Sequence, residues 1–373
     1  MMKNRKIKIL VAIRSLDVGG AEKQVLEFCK HIDKERFDVC LATMYGGVME
    51  PTAEAIHGLY YVNLEKKGRF DIVGFLGSYV GLLGNFEPDI VYAHIGEMNL
   101  FSLAAKYLSF KKFKLVWTFH SAFIDYKAYG KFFELLFWLQ KKLSRYPDKI
   151  ICVSHSAYDF HKEAGYDMRK GVVVYNGVDT EHFIPAPALK EEFRNRFGIP
   201  QSAFVVGMAA RIDKMKGYPL FAAAAATLLP KYENLFFVAA GEGDMGIKDD
   251  CKAILADVSN RFVWCGRLDD LREFYNGIDL FCLPSLGEAF GLTVAEAMSC
   301  DKAAIVSDAG DMKHIVLSEE FVFKAGDKDE LADKIESMIL QRFELNIFRK
   351  KIVSNFDSRQ SVQNIVSELF FND

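Results

Sequence analysis

Short apolar runs alternate with longer amphipathic segments along most of the chain. In the first half the apolar runs predict strands at Lys6–Ile13, Phe37–Met44, Asp89–His94, Leu115–His120, Lys149–Ser154 and Val172–Tyr175. A second series predicts strands at Phe204–Ala209, Leu235–Ala240, Arg261–Cys265, Leu280–Pro284, Ala304–Ser307 and Phe321–Phe323. Strands that are apolar throughout, and that are separated by helix-length segments, are typical of parallel sheets buried on both faces. Two such series predict an α/β protein with two doubly wound, Rossmann-like units.

The boundary between the two series falls between Val178 and Gln201, where three prolines and a charged segment interrupt the strand rhythm. We therefore expect one domain at residues 1–180 and a second at residues 181–357. The last segment, Ser358–Phe370, predicts an amphipathic helix that belongs to neither series.

Composition narrows the class of protein and of partner. Of the 373 residues 50% are hydrophobic and 26% are charged, which is ordinary for a globular protein. The 47 Lys and Arg against 50 Asp and Glu argue against a general nucleic-acid binder. Residues 1–180 carry 25 basic and 20 acidic side chains, and the remainder 22 and 30, so the two halves are suited to different partners.

Cysteine spacing and the longest uncharged stretch bear on location. The seven cysteines include no C-x-x-C pair, which favours reduced thiols in a cytoplasmic protein over a disulfide frame or a zinc site. The longest uncharged stretch, Ile72–Phe86, has 15 residues, whereas a bilayer requires about 20. We expect no membrane span.

In each series, one candidate anion-binding loop follows the first strand. Gly19-Gly20 comes just after strand one, where adjacent glycines let a backbone approach a ligand and the next helix offers free N–H groups. Arg211 and Lys216 follow the first strand of the second series and could hold a diphosphate. The alternatives are an ordinary tight turn and a pair of solvated surface cations.

A literal G-x-G-x-x-G occurs at Gly241–Gly246, after an apolar strand. It lies in the second strand–helix turn of its series, and the next strand ends in Cys265-Gly266-Arg267 without an acidic residue to hold a ribose. We therefore do not expect it to bind NAD.

The most informative stretch runs from Leu283 to Met298, where a strand leads into a glycine-containing loop and then into a helix that begins near Leu292. Glu288 precedes this helix and Glu296 lies about one turn inside it. On one continuous helix the two would be ~12 Å apart, wider than the roughly 5–9.5 Å of a glycosidase acid–base pair. We expect separate tasks, with Glu288 at sugar hydroxyls, Glu296 at a ribose, and the N–H groups of Phe290, Gly291, Leu292 and Thr293 at phosphate oxygens.

Histidines end two neighbouring predicted strands. His94 closes one strand, with Glu97 nearby, and His120 closes the next. Histidines at such positions are candidates for a ligand site, although a lone histidine is more often structural. The one D-x-D sequence, Asp327-Lys328-Asp329, predicts a helix cap rather than a metal site.

Together these motifs resemble the retaining glycosyltransferases of the GT-B fold, specifically glycosyltransferase family 4. The resemblance rests on Gly19–Glu22, Thr118–His120, Tyr175–Asp179, Arg211 with Lys216-Gly217, Gly241–Gly243 and the E-x7-E stretch from Glu288 to Glu296. It implies two Rossmann-like domains facing a central cleft, with the acceptor mainly on the first domain and the nucleotide-sugar donor on the second. It also implies that residues 358–373 join the first domain.

The resemblance implies a role for each matched residue. Arg211 and Lys216 would bind the donor diphosphate, Glu288 the transferred sugar and Glu296 the ribose, with Gly19, Gly20 and Gly243 also on the donor side. His120 would lie near the reacting carbon, while His94 and Glu97 are expected on the acceptor side. Ser121 follows His120 where many relatives carry an acid. No cofactor or metal is expected, because the cationic pair replaces Mg²⁺, and a UDP-sugar is favoured over a GDP-sugar.

The acceptor is expected to be a glycan or a lipid-linked glycan, in surface polysaccharide, lipopolysaccharide or glycolipid biosynthesis. Aromatic and basic residues around Lys111–Lys149 could bring the first domain to the inner face of the cytoplasmic membrane. The alternative is a core-facing helix with a basic outer surface. Rival classes are a nucleotide-sugar epimerase, a sugar phosphorylase, a non-catalytic sugar-nucleotide binding protein and a dehydrogenase.

Overall fold

The chain folds into two compact α/β units. The structure is a computed structural model that describes residues 5–123, 130–341, 344 and 346–370. The first unit comprises Met1–Gly177 together with Ser358–Asp373, and the second comprises Val178–Asp357. The boundary thus lies three residues before the position expected from the sequence, and the C-terminal segment belongs to the first unit.

The first unit contains a seven-stranded parallel sheet in the order β3-β2-β1-β4-β5-β6-β7. Its strands are β1 (Ile7–Ile13), β2 (Phe37–Thr43), β3 (Leu59–Asn63), β4 (Ile90–His94), β5 (Lys114–Phe119), β6 (Lys149–Cys152) and β7 (Gly171–Val173). Its helices are α1 (Gly20–His31), α2 (Glu50–Glu54), α3 (Ile72–Phe86), α4 (Gly96–Leu108), α5 (Lys131–Leu143), α6 (His155–Glu163) and, at the far end of the chain, α15 (Ser358–Leu369).

The second unit contains a six-stranded parallel sheet in the order β10-β9-β8-β11-β12-β13. Its strands are β8 (Phe204–Ala209), β9 (Leu235–Ala240), β10 (Phe262–Gly266), β11 (Leu280–Leu283), β12 (Ala303–Ser307) and β13 (Val322–Phe323). Its helices are α7 (Pro187–Arg196), α8 (Tyr218–Leu228), α9 (Met245–Leu255), α10 (Arg272–Gly277), α11 (Leu292–Ser299), α12 (Met312–Ile315), α13 (Lys328–Ile339) and α14 (Ile347–Asn355).

Strand β1 shows why the apolar runs form buried parallel sheets. Its residues Ile9–Ile13 are all fully buried. Leu10 and Ala12 belong to one hydrophobic core, while Ile9, Val11 and Ile13 belong to the other. Because successive side chains of a strand point to opposite faces, a strand that is covered on both faces must be apolar at every position. The fold class predicted from the sequence, two doubly wound Rossmann-like domains, is confirmed.

One strand of the first sheet is missing from the sequence prediction. Strand β3 pairs in parallel with β2 at the sheet edge, with Leu59 opposite Val39. Its residues are exposed or only partly buried, and Tyr60 is 58% exposed. An edge strand that is open to solvent does not need an uninterrupted apolar run, so its sequence lacks the signal that marks the central strands.

The C-terminal helix α15 packs on the same face of the first sheet as α1. Val362 and Leu369 are buried in the core that contains the α1 residues Val25 and Phe28. The ammonium of Lys149 lies 2.5 Å from the carboxylate of Glu368. These contacts explain the amphipathic pattern that the sequence shows in this segment.

The strand orders locate the places where ligands can bind. Each sheet reverses its winding at one point, between β1 and β4 in the first unit and between β8 and β11 in the second. In doubly wound sheets, ligands bind outside the carboxyl ends of the strands at this switch point. The loops after β1 and β4 are therefore the candidate ligand-binding loops of the first unit, and those after β8 and β11 are the candidate loops of the second.

Candidate active site

In the second unit, backbone hydrogen bonds join three loops at the carboxyl ends of neighbouring strands. The Leu286 N–H donates to the Met215 carbonyl at 2.7 Å, which joins the loops after β11 and β8. The Ile212 N–H donates to the Glu242 carbonyl at 2.9 Å, and the Asp244 N–H donates to the Ile212 carbonyl at 2.9 Å. The loops after β8, β9 and β11 thus form one continuous surface.

Glycines are required where these loops touch. Gly217 has φ +73°, and a Cβ there would lie 1.9 Å from the carbonyl oxygen of Pro284. Gly243 has φ +153°, and a Cβ there would lie 2.2 Å from the carbonyl oxygen of Ile212. The glycine-rich stretch after β9 is therefore explained by close packing of backbone on backbone, without a dinucleotide. Gly243 nevertheless lies beside the loop that carries Arg211.

The loop after β8 and the loop after β11 place a cation and an anion in direct contact. The Lys216 ammonium lies 2.6 Å from Oε2 of Glu288, and the two side chains are 23% and 17% exposed. The Glu288 backbone packs closely against Gly310, because a Cβ on Gly310 would lie 1.9 Å from the Glu288 carbonyl oxygen. The two residues were predicted separately from distant motifs, and the structure brings them together.

Arg211 extends from the same loop as Lys216 and is much more exposed. Its guanidinium pairs with Oδ2 of Asp213, at 3.0 Å from Nε and 2.9 Å from Nη2, while its side chain is 75% exposed. The other oxygen of Asp213 accepts from the Met215 N–H at 2.8 Å. Asp213 therefore orients Arg211 while leaving it available to an anionic ligand.

Glu296 differs from Glu288 in its surroundings. It lies on α11 and is 2% exposed. Its Oε2 accepts a hydrogen bond from the hydroxyl of Tyr275, at 2.6 Å. Burial and the neighbouring charge of Glu296 raise the pKa of Tyr275 well above its ordinary value, so the phenol stays protonated and donates. Glu296 is held by the protein itself, a feature that the sequence did not predict.

Helix α11 begins at Leu292, as predicted, and Gly291 caps it with φ +92°. Phe290 is buried against Phe356, with ring centroids 5.5 Å apart. The first N–H groups of the helix, at Leu292 and Thr293, are of the kind that bind anions. This helix start lies directly after the Glu288 loop.

In the first unit, Gly19 and Gly20 lie at the start of α1, after β1 at the switch point. A Cβ on Gly19 would lie 2.2 Å from Oε2 of Glu22, so the Glu22 carboxylate packs against this turn. Burial, with a smaller contribution from Asp17, raises the pKa of Glu22. A raised pKa makes the carboxyl easier to neutralise when an anion approaches the turn.

His94 and His120 form a hydrogen-bonded pair at the ends of β4 and β5. His94 Nδ1 and His120 Nε2 are 2.9 Å apart, one ring donating and the other accepting. Burial lowers the pKa of His120 to about 4 and, together with the neighbouring His120, that of His94 to well below its ordinary value. Both rings are therefore neutral near pH 7.

His94 and Glu97 are the two residues predicted on the acceptor side, and that assignment stays a prediction. His94 is 2% exposed and contacts His120 through Nδ1. Glu97 lies on α4, 18% exposed, and its Oε2 is 3.3 Å from Nε of Arg14.

The single D-x-D sequence caps a helix, as predicted. Oδ1 of Asp327 accepts hydrogen bonds from the N–H groups of Asp329 and Glu330 at the start of α13. This is the arrangement of an N-cap, which satisfies backbone donors that the helix leaves free.

Two residues of the site were missed by sequence reasoning. Asp213 lies only two positions after Arg211, and this spacing of opposite charges was available as a signal. Tyr275 is separated from Glu296 by 21 positions, and nothing in the local sequence connects them. The tertiary fold of the second unit brings the phenol on α10 to the carboxylate on α11.

Paired Rossmann-like domains with this set of residues define a GT-B glycosyltransferase. The model of "Glycosyltransferase Family 4" matches residues 18–182, and that of "Glycosyl transferases group 1" matches residues 190–356. The chain belongs to glycosyltransferase family 4 and is a transferase, as the sequence analysis predicted.

Curated relatives resemble between about half and four fifths of the chain at moderate identity. A putative glycosyltransferase, EpsD of Bacillus subtilis, is 27% identical over 263 residues, which are 69% of this chain and 69% of EpsD. The Escherichia coli enzyme named UDP-Gal:alpha-D-GlcNAc-diphosphoundecaprenol alpha-1,3-galactosyltransferase is 26% identical over 313 residues, 81% of this chain and 76% of that protein. The lipopolysaccharide core mannosyltransferase LpcC of Rhizobium leguminosarum is 32% identical over 45% of this chain and 49% of its own length.

Solved structures share the fold over nearly the full length. Anabaena HepE in complex with UDP-glucose matches with a TM-score of 0.83 and 20% identity, covering 97% of this chain and 99% of HepE. A glycosyltransferase from Rickettsia africae matches with a TM-score of 0.82 and 18% identity, covering 99% and 100%. At these identities the likeness establishes the GT-B fold.

Proposed function

We propose that this enzyme transfers a sugar, with retention of anomeric configuration, from a nucleotide-diphosphate sugar to a glycan or lipid-linked glycan. The observation that carries the proposal is the ion pair of Lys216 and Glu288 at the switch point of the second sheet. A cation for the leaving diphosphate and a carboxylate for the sugar hydroxyls are adjacent there, as departure of a sugar from a diphosphate requires.

In the proposed reaction the bond between the anomeric carbon and the diphosphate oxygen breaks, and its electron pair leaves with the diphosphate. The acceptor hydroxyl forms the new bond on the same face of the sugar and gives its proton to the leaving phosphate. Arg211 and Lys216 stabilise the negative charge that develops. The N–H groups at the start of α11 support the same phosphates, and Glu288 holds the sugar in place.

His120 acts in this scheme as a neutral hydrogen-bonding group. With a pKa of about 4, it carries no charge over the ordinary working range of pH. We assign it to a sugar hydroxyl near the reacting carbon. We assign Gly19 and Gly20 to the binding of the donor, as the family resemblance implies.

We favour a uridine nucleotide and a role in surface polysaccharide, lipopolysaccharide or glycolipid biosynthesis. The E. coli relative is named for a UDP-galactose donor and a diphosphoundecaprenol-linked acceptor. HepE binds UDP and UDP-glucose in its crystal structures. LpcC is named for lipopolysaccharide core biosynthesis. These relatives support the choice of donor and pathway class.

The proposed reaction needs no metal, because Arg211 and Lys216 supply two positive charges to the leaving diphosphate. Asp327, the first residue of the one D-x-D sequence, is engaged in capping α13. Arginine and lysine are established alternatives to Mg²⁺ at developing phosphate charge.

A ligand screen followed by a transfer assay tests this function. Thermal unfolding is measured with UDP-, GDP- and ADP-sugars, and with NAD as a control. At about 100 times the dissociation constant, a bound donor stabilises the protein by roughly 2.7 kcal/mol. We expect stabilisation by a UDP-sugar and none by NAD, followed by release of UDP when a lipid-linked glycan is added. An epimerase would instead isomerise the sugar without an acceptor, and stabilisation by NAD alone would contradict the proposal.

We also propose that the first unit contacts an anionic membrane through the outer face of α5. The exposed residues of this helix are Lys131, Glu134, Leu135, Trp138 and Lys142. Leu135 and Trp138 are each 52% exposed and lie between the two lysines along this face. A helix with exposed apolar residues flanked by lysines suits the boundary of an anionic bilayer. Residues 124–129, part of the basic and aromatic stretch noted in the sequence, lie outside the described residues.

Within the stretch from Lys111 to Lys149, we assign the membrane contact to α5 and not to the lysines at the start of the stretch. Lys111, Lys112 and Lys114 precede or begin β5, so they lie at the amino edge of the sheet, opposite the edge where His94 and His120 lie. Membrane contact by α5 would place the enzyme at the inner face of the cytoplasmic membrane. The seven cysteines, all free thiols, are compatible with that reducing compartment.

Vesicle binding tests the membrane contact. Sedimentation with anionic phospholipid vesicles should capture the protein at low salt, and the binding should weaken near 0.15 M salt, where the Debye length is ~8 Å. Trp138→Ser should reduce the binding, while Phe110→Ser, which removes an aromatic side chain that is 93% exposed and lies outside α5, should not. Equal effects of the two substitutions, or no binding at any salt, would refute this contact. Among the described residues, no helix is long and apolar enough to cross a membrane.

A further inference from the structure

Tyr275 is a buried residue of the donor-side unit that touches one of the two motif glutamates. It lies on α10 with no exposed surface, and its hydroxyl donates to Oε2 of Glu296 at 2.6 Å. Its ring is held by edge contacts with Phe183 and Phe281, each with ring centroids 5.7 Å apart. Aromatic packing therefore holds the Tyr275 ring in position independently of its hydrogen bond to Glu296.

In the pair of Tyr275 and Glu296 the phenol is the hydrogen-bond donor. The pKa of Tyr275 is raised by burial and by the charge of Glu296, so its hydroxyl remains a donor. A glutamate side chain has three rotatable bonds, and a donor that anchors one carboxylate oxygen removes much of that freedom. A short hydrogen bond to an ionised acceptor is roughly twice as strong as one between neutral groups. Tyr275 thus fixes the direction in which Glu296 presents its carboxylate.

We propose that Tyr275 is a positioning residue that sets the Glu296 carboxylate for the two ribose hydroxyls of the nucleotide, and so controls selection for an intact ribose. The inference rests on the proposed function, in which Glu296 binds the ribose of the donor. Tyr275 touches no ligand and acts only through Glu296. Its removal should therefore affect the ribose hydroxyls and leave the diphosphate contacts unchanged.

Ligand pairs that differ only in the ribose hydroxyls provide a direct test. The dissociation constants of UDP and of 2′,3′-dideoxy-UDP are measured by titration calorimetry for the unaltered protein and for Tyr275→Phe, which keeps the ring and removes the hydroxyl. We expect Tyr275→Phe to weaken UDP binding by roughly 5–10-fold, the value of one hydrogen bond, and to leave binding of the dideoxy compound unchanged. An unchanged preference for UDP would overturn the proposal.

Two other tyrosines of the chain serve as matched controls. Tyr232 donates to Glu336 at 2.9 Å in the same unit, so Tyr232→Phe removes the same chemical pair from another place. Tyr79, fully buried in the first unit, shares a hydrogen bond of 2.9 Å with Ser102, so Tyr79→Phe removes an equally buried hydroxyl. Both should keep the preference for UDP. A loss of preference in either variant equal to that in Tyr275→Phe would overturn the specific role of Tyr275.

A double substitution tests whether Tyr275 acts through Glu296. Glu296→Gln alone should reduce the preference for UDP, and Tyr275→Phe added to it should cause no further loss, because residues that act as a unit are not additive. Additive losses would overturn the proposal. If the unaltered protein bound none of UDP, GDP and ADP, the proposed function and this inference would both fail. If it bound UDP with a preference that Tyr275→Phe does not alter, only the role of Tyr275 would fail.

Discussion

Replacing Lys216 by methionine tests the central contact of the proposed active site. The substitution keeps the length of the side chain and removes its charge. In the native chain the ammonium lies 2.6 Å from Oε2 of Glu288, with both side chains largely buried. Without it, the Glu288 carboxylate loses its partner, and a bound diphosphate loses a cation.

The expected losses of stability and of turnover can both be estimated. Removing one partner of a fully buried ion pair costs roughly 3–5 kcal/mol, and removing one of an exposed pair costs roughly 0–1. At 23% and 17% exposure this pair falls between those limits, so we expect about 1–3 kcal/mol of lost stability. For a unit of this size, each kcal/mol lowers the melting temperature by about 2–4 °C. Loss of a contact that strengthens in the transition state should lower kcat by roughly 10²–10³-fold.

Arg211→Met provides the informative comparison. Arg211 is 75% exposed and its pair with Asp213 is largely open to solvent, so its loss should cost less than about 0.5 kcal/mol of stability. The kcat of the Arg211→Met enzyme should fall by roughly 10²–10³-fold, as should that of Lys216→Met. Lys252→Met, which removes an exposed pair with Asp249 on α9, should change neither quantity.

The assay combines thermal unfolding with steady-state transfer, using a defined UDP-sugar and a defined acceptor. The expected pattern is loss of stability and turnover for Lys216→Met, loss of turnover alone for Arg211→Met, and neither for Lys252→Met. A Lys216→Met protein that retained near-normal kcat would refute the assignment of this loop to the leaving diphosphate. The binding-protein alternative would then be favoured.

Further outcomes follow from the same geometry. Glu288→Ala should reduce kcat because it removes the sugar contact, whereas Glu296→Ala should mainly raise the donor KM, by ~10–100-fold for a lost charged hydrogen bond; the reverse pattern would contradict their roles. Transfer should persist in excess EDTA, and a loss that Mg²⁺ or Mn²⁺ restored would contradict charge neutralisation by the cationic pair. Burial of His161 lowers its pKa to about 4, so the unfolded chain binds a proton more readily and stability should fall as the pH drops from about 6.5 to 4. His161→Phe should make the fall in the free energy of unfolding over that range smaller by roughly 3 kcal/mol, measured by urea unfolding at each pH, and an unchanged fall would show that this histidine is not buried neutral.

Much of the fold could be predicted from local patterns because burial on both faces of a sheet demands an apolar residue at every strand position. Strands β8 and β9 have the predicted bounds, and β1 differs by one residue. Edge strand β3 was missed since solvent covers part of it. The burial of Glu296 was also missed, because charge and helical position do not reveal which neighbour covers a side chain.

Local sequence patterns are enough to predict the two doubly wound units, the E-x7-E stretch and the cations of the loop after β8. These features are local, since each depends on the residue types within one strand, loop or helix start. Long-range packing, by contrast, is what pairs Lys216 with Glu288, His94 with His120 and Tyr275 with Glu296. Each of these contacts joins residues separated by 21 to 72 positions. The strand order of the sheets and the packing of helices create such contacts, and no periodicity within a single segment encodes them.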